Sequence, residues 1–479
     1  MSPCTIRLCT ETPGPVISPN IYGHFAEHAG RCIYEGIWVG PRSKIPNENG
    51  LRLDVLAALK QLRAPVIRWP GGCFAATYHW RDGVGPADQR PQTPNIWSCQ
   101  AEPNSFGTLE FLQFCSAAGS SPCISLNVGS GSVLEAMQWL EFCNHGGDTS
   151  ITRLRSGPPH GVKYWTVGIA PWGCGGGFSP AEYAVEYKRY ATYLRAADPN
   201  IELLACGSCP AVSPTWNYEF CKAMPHPHLI DHLTIQRYFT RGRGQTFSDA
   251  EYHALFADLV EHVLTCCYPD KHVGIAIDEF GLRHPEANVD NGFEQPCTLR
   301  DAVFAGAALN LFNRHADRVT MANLAQAINV LQSIGITEGA RMVLTPTYYV
   351  YDMMRYHMGA RAVITQVGCD CYATKPEDVA TGLHVPQLSA SASISGTKVL
   401  LTIANQTVDH DVETRIEISG QKIAAAVGRM LNSAGPRDSN SFETPKTVFP
   451  KRFKLDPIKG ELVCVFPAHS FTSLNLSLS

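Results

Sequence analysis

The chain has 479 residues, more than one ordinary domain holds and enough for a large barrel with an accessory domain. Charged residues are 17%, hydrophobic residues 44% and the net charge is −4, so composition excludes a disordered chain and leaves no basic footprint for nucleic acid. No run reaches 18 consecutive apolar residues, which argues against a membrane span.

Taken in order, the chain alternates strand-like and helix-like segments. Met1-Ser2-Pro3-Cys4 runs straight into a short strand, Thr5 to Leu8, without the basic and apolar regions of an export signal. Ile17 to Phe25 has extended character, and Leu51 to Leu62 has helical apolar spacing. Val66 to Trp69 is a strand stopped by Pro70-Gly71-Gly72. Helices are expected over Leu109 to Ala117 and Val133 to Cys143, with strands at Cys123 to Val128 and Val162 to Val167. Pro180 to Ala197 reads as a long helix, with Ser179 as N-cap and Glu182 completing a capping box. Strands follow at Ile201 to Ala205 and His232 to Ile235, then a helix over Ala250 to Thr265. A strand through Val273 to Glu279, a helix from Leu299 to Phe312 and a strand from Val319 to Leu324 complete the pattern. Eight strands with intervening helices favour a closed parallel (β/α)8 barrel, residues 17–359, over an open sheet.

Beyond Gly359 the pattern turns β-rich. Val399 to Ile403, Thr414 to Ile418 and Glu461 to Val465 are separated by turn residues and read as an antiparallel β-sandwich. Residues 360–479 would form this domain, with 1–16 adding the strand that precedes the barrel.

In such barrels the chemistry sits at the C-terminal ends of the strands. The stretch Ala276 to Gly281 ends one of them and carries Asp278 and Glu279. Successive side chains on a strand alternate, so one carboxylate is expected to face the barrel interior and the other its surroundings. Alone, this stretch is read equally well as a carboxylate capping the next helix. At the other strand ends stand Glu27, Arg68, Asn127, Trp172, Tyr238 and Gln326. Each is more often structural than catalytic; their convergence on one mouth suits a sugar ring with many hydroxyls. With no export signal, the 18 cysteines are read as mostly reduced, small buried hydrophobes of a cytoplasmic protein. Cys206-Gly-Ser-Cys209 has a CxxC spacing but no second pair, and Cys369-Asp-Cys371 is weaker, so no metal is expected.

The stretches Ile17–Gly40, Arg68–Ala75, His79–Pro86, Asn127–Gly131, Lys163–Gly168, Trp172–Gly176, Ile275–Gly281, Met321–Gln326 and Ser439–Pro445 resemble, in order, family 51 of the glycoside hydrolases, the α-L-arabinofuranosidases. The resemblance covers nearly the whole chain. It implies a barrel with a β-sandwich, retaining chemistry, no cofactor, and removal of terminal arabinofuranosyl groups from arabinan or arabinoxylan. It also implies a homo-oligomer, often a hexamer; charge and hydropathy, as above, give no reason to expect a nucleic-acid or membrane partner. By resemblance Glu279 is the nucleophile, and Glu27, Arg68, Cys73, Trp97, Trp172, Tyr238 and Gln326 bind substrate and orient the nucleophile. Cys73 is expected to line the pocket as a small packing or weakly hydrogen-bonding group.

A retaining glycosidase needs a second carboxyl group as acid and base. The family places it in a Gly-Asn-Glu motif at the end of the fourth strand, where this chain reads Gly168-Ile169-Ala170. Ala170 cannot transfer a proton, and Ile169 cannot bond a sugar hydroxyl. Further departures fall at Ala76, Ser105 and Gln236. Three readings follow: an acid/base-deficient arabinofuranosidase, a glycosidase of altered specificity whose proton comes from elsewhere, with Glu102 and Glu182 as candidates by sequence proximity, or a non-catalytic sugar-binding protein.

Overall fold

The computed structural model describes residues 4–155, 157–208, 215–240, 263–373 and 384–479. Eight parallel strands close a barrel. In chain order they are Gly23–Phe25, Val66–Trp69, Ser121–Ser125, Tyr164–Val167, Glu202–Cys206, His232–Thr240, Gly274–Arg283 and Val319–Ala325. They are the first to eighth barrel strands below. The eighth pairs with the first, Asn323 opposite Gly23, so no edge is left open. Val66 to Trp69 is buried throughout, and so is Gly274 to Leu282, as strands walled by helices outside and side chains inside must be.

All eight expected strands are present, with shifted boundaries. Of Ile17 to Phe25 only the last three residues are strand; Pro19–Tyr22 is a 3-10 turn opened by a proline. The sixth strand runs to Thr240 and the seventh to Arg283, well past the expected ends. Gln236, Tyr238 and Glu279 therefore stand on paired backbone rather than on loops.

Helices Leu53–Leu62, Thr108–Ala118, Val133–Asn144 and Leu299–Arg314 match expectation within two residues. Pro180–Ala197 starts with the expected box: Ser179 N donates to Glu182 Oε2 at 2.8 Å, and Glu182 N donates to Ser179 Oγ at 3.3 Å. The helix expected over 250–265 lies outside the described residues except at its end, where Thr265–Cys267 forms one helical turn.

Among the described residues four pairs of the further strands form two-stranded ribbons, and the other nine build one mostly antiparallel sheet. Cys4–Cys9 sits inside its order, antiparallel to Arg361–Gly368 and parallel to Val412–Ile418. Val412–Ile418 alternates buried and exposed residues, the period-2 signature of a strand wet on one face. Ile6, Leu401, Ile416, Leu462 and Leu474 share one core of their own.

Helix Leu299–Arg314 joins barrel and sheet and is buried almost throughout. Its polar side chains work across that seam. Asn310 Nδ2 donates to Ser389 O at 2.9 Å, while Asn310 Oδ1 accepts from Ser391 Oγ at 2.8 Å and Thr402 Oγ1 at 2.7 Å. Asn313 accepts from Tyr22 OH and donates to Ser391 Oγ. Replacing Asn310 by Leu removes three hydrogen bonds from a buried interface. The expected loss is about 2–4 kcal/mol, read as a lower midpoint in urea unfolding.

Candidate active site

The site begins with an irregularity. Along the sixth and seventh strands Ile235 pairs with Ile277, but Gln236 pairs with Glu279, so Asp278 is the extra residue of a bulge. The bulge overturns the expectation that Asp278 and Glu279 face opposite ways. Both reach Arg68, which comes across the barrel interior from the second strand. Arg68 Nη1 donates to Glu279 Oε1 at 2.8 Å and to Asp278 O at 3.2 Å, and Arg68 Nη2 lies 3.7 Å from Asp278 Oδ2. Arg68 and Asp278 are both 0% exposed. Burial pushes the Asp278 carboxyl up to about 7 against the pull of Arg68.

Glu279 is held at both oxygens. Tyr238 OH donates to Oε2 at 2.9 Å, and Gln236 Nε2 donates to Oε1 at 3.3 Å beside Arg68. A second carboxyl group stands close by. Glu27 Oε1 accepts from Gly72 N at 2.8 Å, and Oε2 accepts from Gln326 Nε2 at 2.7 Å. A Cβ on Gly72 would lie 2.9 Å from Glu279 Oε1 and 3.2 Å from Glu27 Oε1, so only glycine fits between the two groups. Burial, then the charge of Glu279, pushes Glu27 up to about 7.

These residues open into a cavity of about 220 Å³. Glu27, Cys73, Trp97, Tyr238, Glu279 and Gln326 line it, six of the site residues expected from the sequence. Arg68 lies beneath Glu279 and acts through it. The sequence reading missed His28, Ser98, Arg283 and Phe293, which also line the cavity. Arg283 lies four residues past Glu279 on the same strand, a spacing that returns to the same face; Phe293 carried no such signal. Trp69 Nε1 donates to His28 Nε2 at 2.9 Å, which leaves His28 Nδ1 to donate to Glu102 Oε2 at 2.8 Å. Glu102 also accepts from Tyr34 OH. Burial pushes Glu102 up, but His28 and these hydrogen bonds bring it below the ordinary carboxylate range. Among the described residues Trp97 Nε1, Ser98 Oγ and Gln326 Oε1 have no hydrogen-bond partner, which suits a ligand rich in hydroxyls.

Neither residue proposed from sequence as a substitute acid reaches this cavity. Glu182 is spent on the cap of its helix, and Glu102 lies behind His28 and Tyr34. At the end of the fourth strand, Ile169 and Ala170 are 1% and 6% exposed and pack with Ala75 and Ala76 in one apolar cluster. Two of the polar positions missing from the resemblance therefore meet a third, Ala76, in space. The backbone there is held tightly: Ala170 has φ 32°, and its carbonyl accepts from Gly173 N at 2.8 Å and Gly175 N at 3.1 Å. Trp172, expected to bind substrate, packs against this cluster with its Nε1 on Gly207 O and is not among the residues that line the cavity.

Cys73 requires a correction. It lines the cavity, but not as a thiol: it forms a disulfide with Cys174 across 101 residues. Residues so far apart gave no spacing signal. The second and fourth strands are separated in the barrel only by the third, and the loops that follow them meet over its end. The other described cysteines are free, Cys369 and Cys371 among them; Cys209 lies outside the described residues. Among the described residues no group of three His, Cys, Asp or Glu side chains could hold a metal ion.

Comparison with known proteins decides the family. The "Alpha-L-arabinofuranosidase 1 domain" model matches residues 58–245, and the "Alpha-L-arabinofuranosidase C-terminal domain" model matches 278–470. An intracellular exo-alpha-L-arabinofuranosidase of Bacteroides ovatus is 38% identical over 98% of this chain and 95% of its own. The chain belongs to the α-L-arabinofuranosidases of glycoside hydrolase family 51. The crystal structure of a family 51 arabinofuranosidase from Xanthomonas axonopodis pv. citri superposes with TM-score 0.91 at 32% identity, covering 99% of this chain and 100% of that one. An arabinose complex of the Thermotoga maritima α-L-arabinofuranosidase gives 0.88 at 31%, with the same coverage. The (β/α)8 barrel with its C-terminal sheet, expected from the strand count, is thus the fold of the family.

The carboxyl of Glu27 makes a pH prediction. Its value in the folded state, about 7, lies above the ordinary one, so the group favours folding at low pH and opposes it as pH rises through 7. Glu27→Gln should gain stability relative to the unmodified protein between pH 5 and 8. Thermal melts across that range should show the gap widen with pH, by about 1 kcal/mol or more.

Proposed function

We propose that the cavity binds a terminal α-L-arabinofuranosyl group and that Glu279 attacks its anomeric carbon, while no group at position 170 passes a proton to the leaving oxygen. The observation that carries this reading is the contrast between two sides of one site. Glu279 keeps Arg68, Tyr238 and Gln236 around its carboxyl, whereas Ile169 and Ala170 are sealed into an apolar cluster with Ala75 and Ala76. Trp97 and Gln326 on the cavity wall, with Glu27, hold the sugar hydroxyls, and the Cys73–Cys174 disulfide packs beside them. The substrates are arabinan- or arabinoxylan-type oligosaccharides. The setting is the cytoplasm, a reading supported by the intracellular relative from Bacteroides ovatus. The resemblance supports a homo-oligomer, with a hexamer among the candidates.

The chemistry follows from the missing acid. Attack by Glu279 forms the bond to the anomeric carbon as the bond to the aglycone oxygen breaks. Without protonation the aglycone leaves as an anion, and general acid help of this kind is worth roughly 10²–10⁴-fold. A nitrophenolate leaves readily; the alkoxide of a sugar does not. The second step then lacks a base to activate water.

An aryl arabinofuranoside should therefore give a burst of phenolate followed by slow turnover. Azide should speed the turnover and yield an arabinosyl azide of retained configuration. Arabinan should be nearly inert, and Ile169→Asn with Ala170→Glu should recover its hydrolysis. Rapid-mixing absorbance and product analysis read all four. Hydrolysis of arabino-oligosaccharides by the unmodified protein as fast as aryl glycosides would mean another acid is at work. Failure of both azide and the double substitution, with arabinose still bound, would favour a sugar-binding protein without catalysis.

A further inference from the structure

A second concave surface lies on the C-terminal sheet, away from the barrel mouth. It is a groove of about 550 Å³. Its floor crosses strands Lys451–Leu455, Ile423–Leu431, Phe471–Leu478 and Lys398–Asn405, which are consecutive neighbours in the sheet. Arg452 pairs with Arg429, Val427 with Asn475, and Asn475 with Leu400, so these side chains share one face. Tyr356 forms one rim, 52% exposed. None of the residues at the barrel-mouth cavity belongs to this groove.

The charge is one-sided. Lys398, Arg429 and Arg452 line the groove, and among the described residues no acidic side chain does. Arg429 is already paired, its Nη2 2.7 Å from Asp352 Oδ2, and Arg355 also reaches Asp352 at 3.3 Å. Lys398 and Arg452 are exposed and make no ion pair among the described residues. They stand on strands three apart in the sheet, and neighbouring strands are spaced ~4.8 Å. Between them lie the Asn475 amide and the apolar Val427. An exposed tyrosine ring, an amide and an apolar floor suit the alternating polar and apolar faces of sugar rings. Two separated cations without partners suit carboxylates set apart along a chain.

We propose that this groove is a second carbohydrate site, which takes an oligosaccharide bearing uronate groups and holds its carboxylates with Lys398 and Arg452. Such a site would tether acidic, branched glycan fragments to the protein independently of the barrel mouth. The proposal does not rest on the role given to Glu279.

The test uses the full-length protein and calorimetric titration with two probes of equal length, a xylo-oligosaccharide carrying glucuronate branches and its neutral counterpart. The acidic probe should bind and the neutral one should bind at least several-fold more weakly. Raising the salt from 0.05 to 0.5 M should weaken the acidic probe, because exposed charges are screened. Lys398→Ala with Arg452→Ala should cost about tenfold in its affinity, as two exposed charge contacts imply. Arabinose binding should be unchanged. Equal binding of both probes, or salt-independent binding by the unmodified protein, overturns the proposal. So does undiminished binding by the folded double variant. A changed sedimentation coefficient in that variant also overturns it, because the face would then be buried between copies of the chain.

Discussion

The buried guanidinium of Arg68 is the constraint on which the site depends. Inside the barrel it is fully buried, and taking such a charge out of solvent is tolerable only with carboxylates and hydrogen bonds around it. Burial alone would weaken its hold on the proton, yet Asp278 and Glu279 hold Arg68 above its ordinary value. Ser125 Oγ accepts from its Nε at 2.9 Å. Removing one partner of a buried pair typically costs ~3–5 kcal/mol, so these groups stand or fall together. The bulge at Asp278 is the backbone's answer: it lets two consecutive carboxylates address one cation.

That anchor explains why the Glu279 side of the cavity is so fully built. Arg68 needs Glu279 for its own solvation, whether or not Glu279 attacks a sugar. Tyr238 and Gln236 complete the cage from the neighbouring strand. Glu27 lies on the other side of Gly72, held by Gly72 N and Gln326, and feels the charge of Glu279. The end of the fourth strand, at Ile169 and Ala170, has no comparable stake. Ala170 keeps its φ of 32° and its carbonyl contacts because the turn through Gly175 requires them; a Cβ on Gly175 would meet Ile169 O at 1.7 Å. The backbone of the fourth strand's end is therefore fixed by packing, while its side chains are free to become apolar.

The disulfide adds a second tie at the same place. Cys73 follows the Pro-Gly-Gly turn of the second strand, and Cys174 sits in the glycine-rich turn of the fourth. Together they bridge the cavity wall and the apolar cluster, which Cys174 packs against. Loop positions here are set by a covalent bond and by glycines that admit close backbone contact, together with buried rings such as Phe74 and Tyr78.

By itself the sequence determined the class of fold and the kind of chemistry. Apolar runs of strand length alternating with helical spacing, and the Ser179–Glu182 cap, are local signals, and local backbone energetics honour them. The motif at Ala276 to Gly281 marked the seventh strand, though not its end at Arg283, and the apolar character of Ile169 and Ala170 was legible because side-chain chemistry is written in the residue itself. Only the tertiary structure decided what depends on contacts between distant residues. It placed Asp278 beside Arg68 through a one-residue bulge that alternation could not reveal. It joined Cys73 to Cys174, and it brought Ala76 against Ala170. It brought His28, Arg283 and Phe293 to the cavity. These outcomes depend on closing the barrel, because closure makes neighbours of strand ends that lie a hundred or more residues apart in the chain.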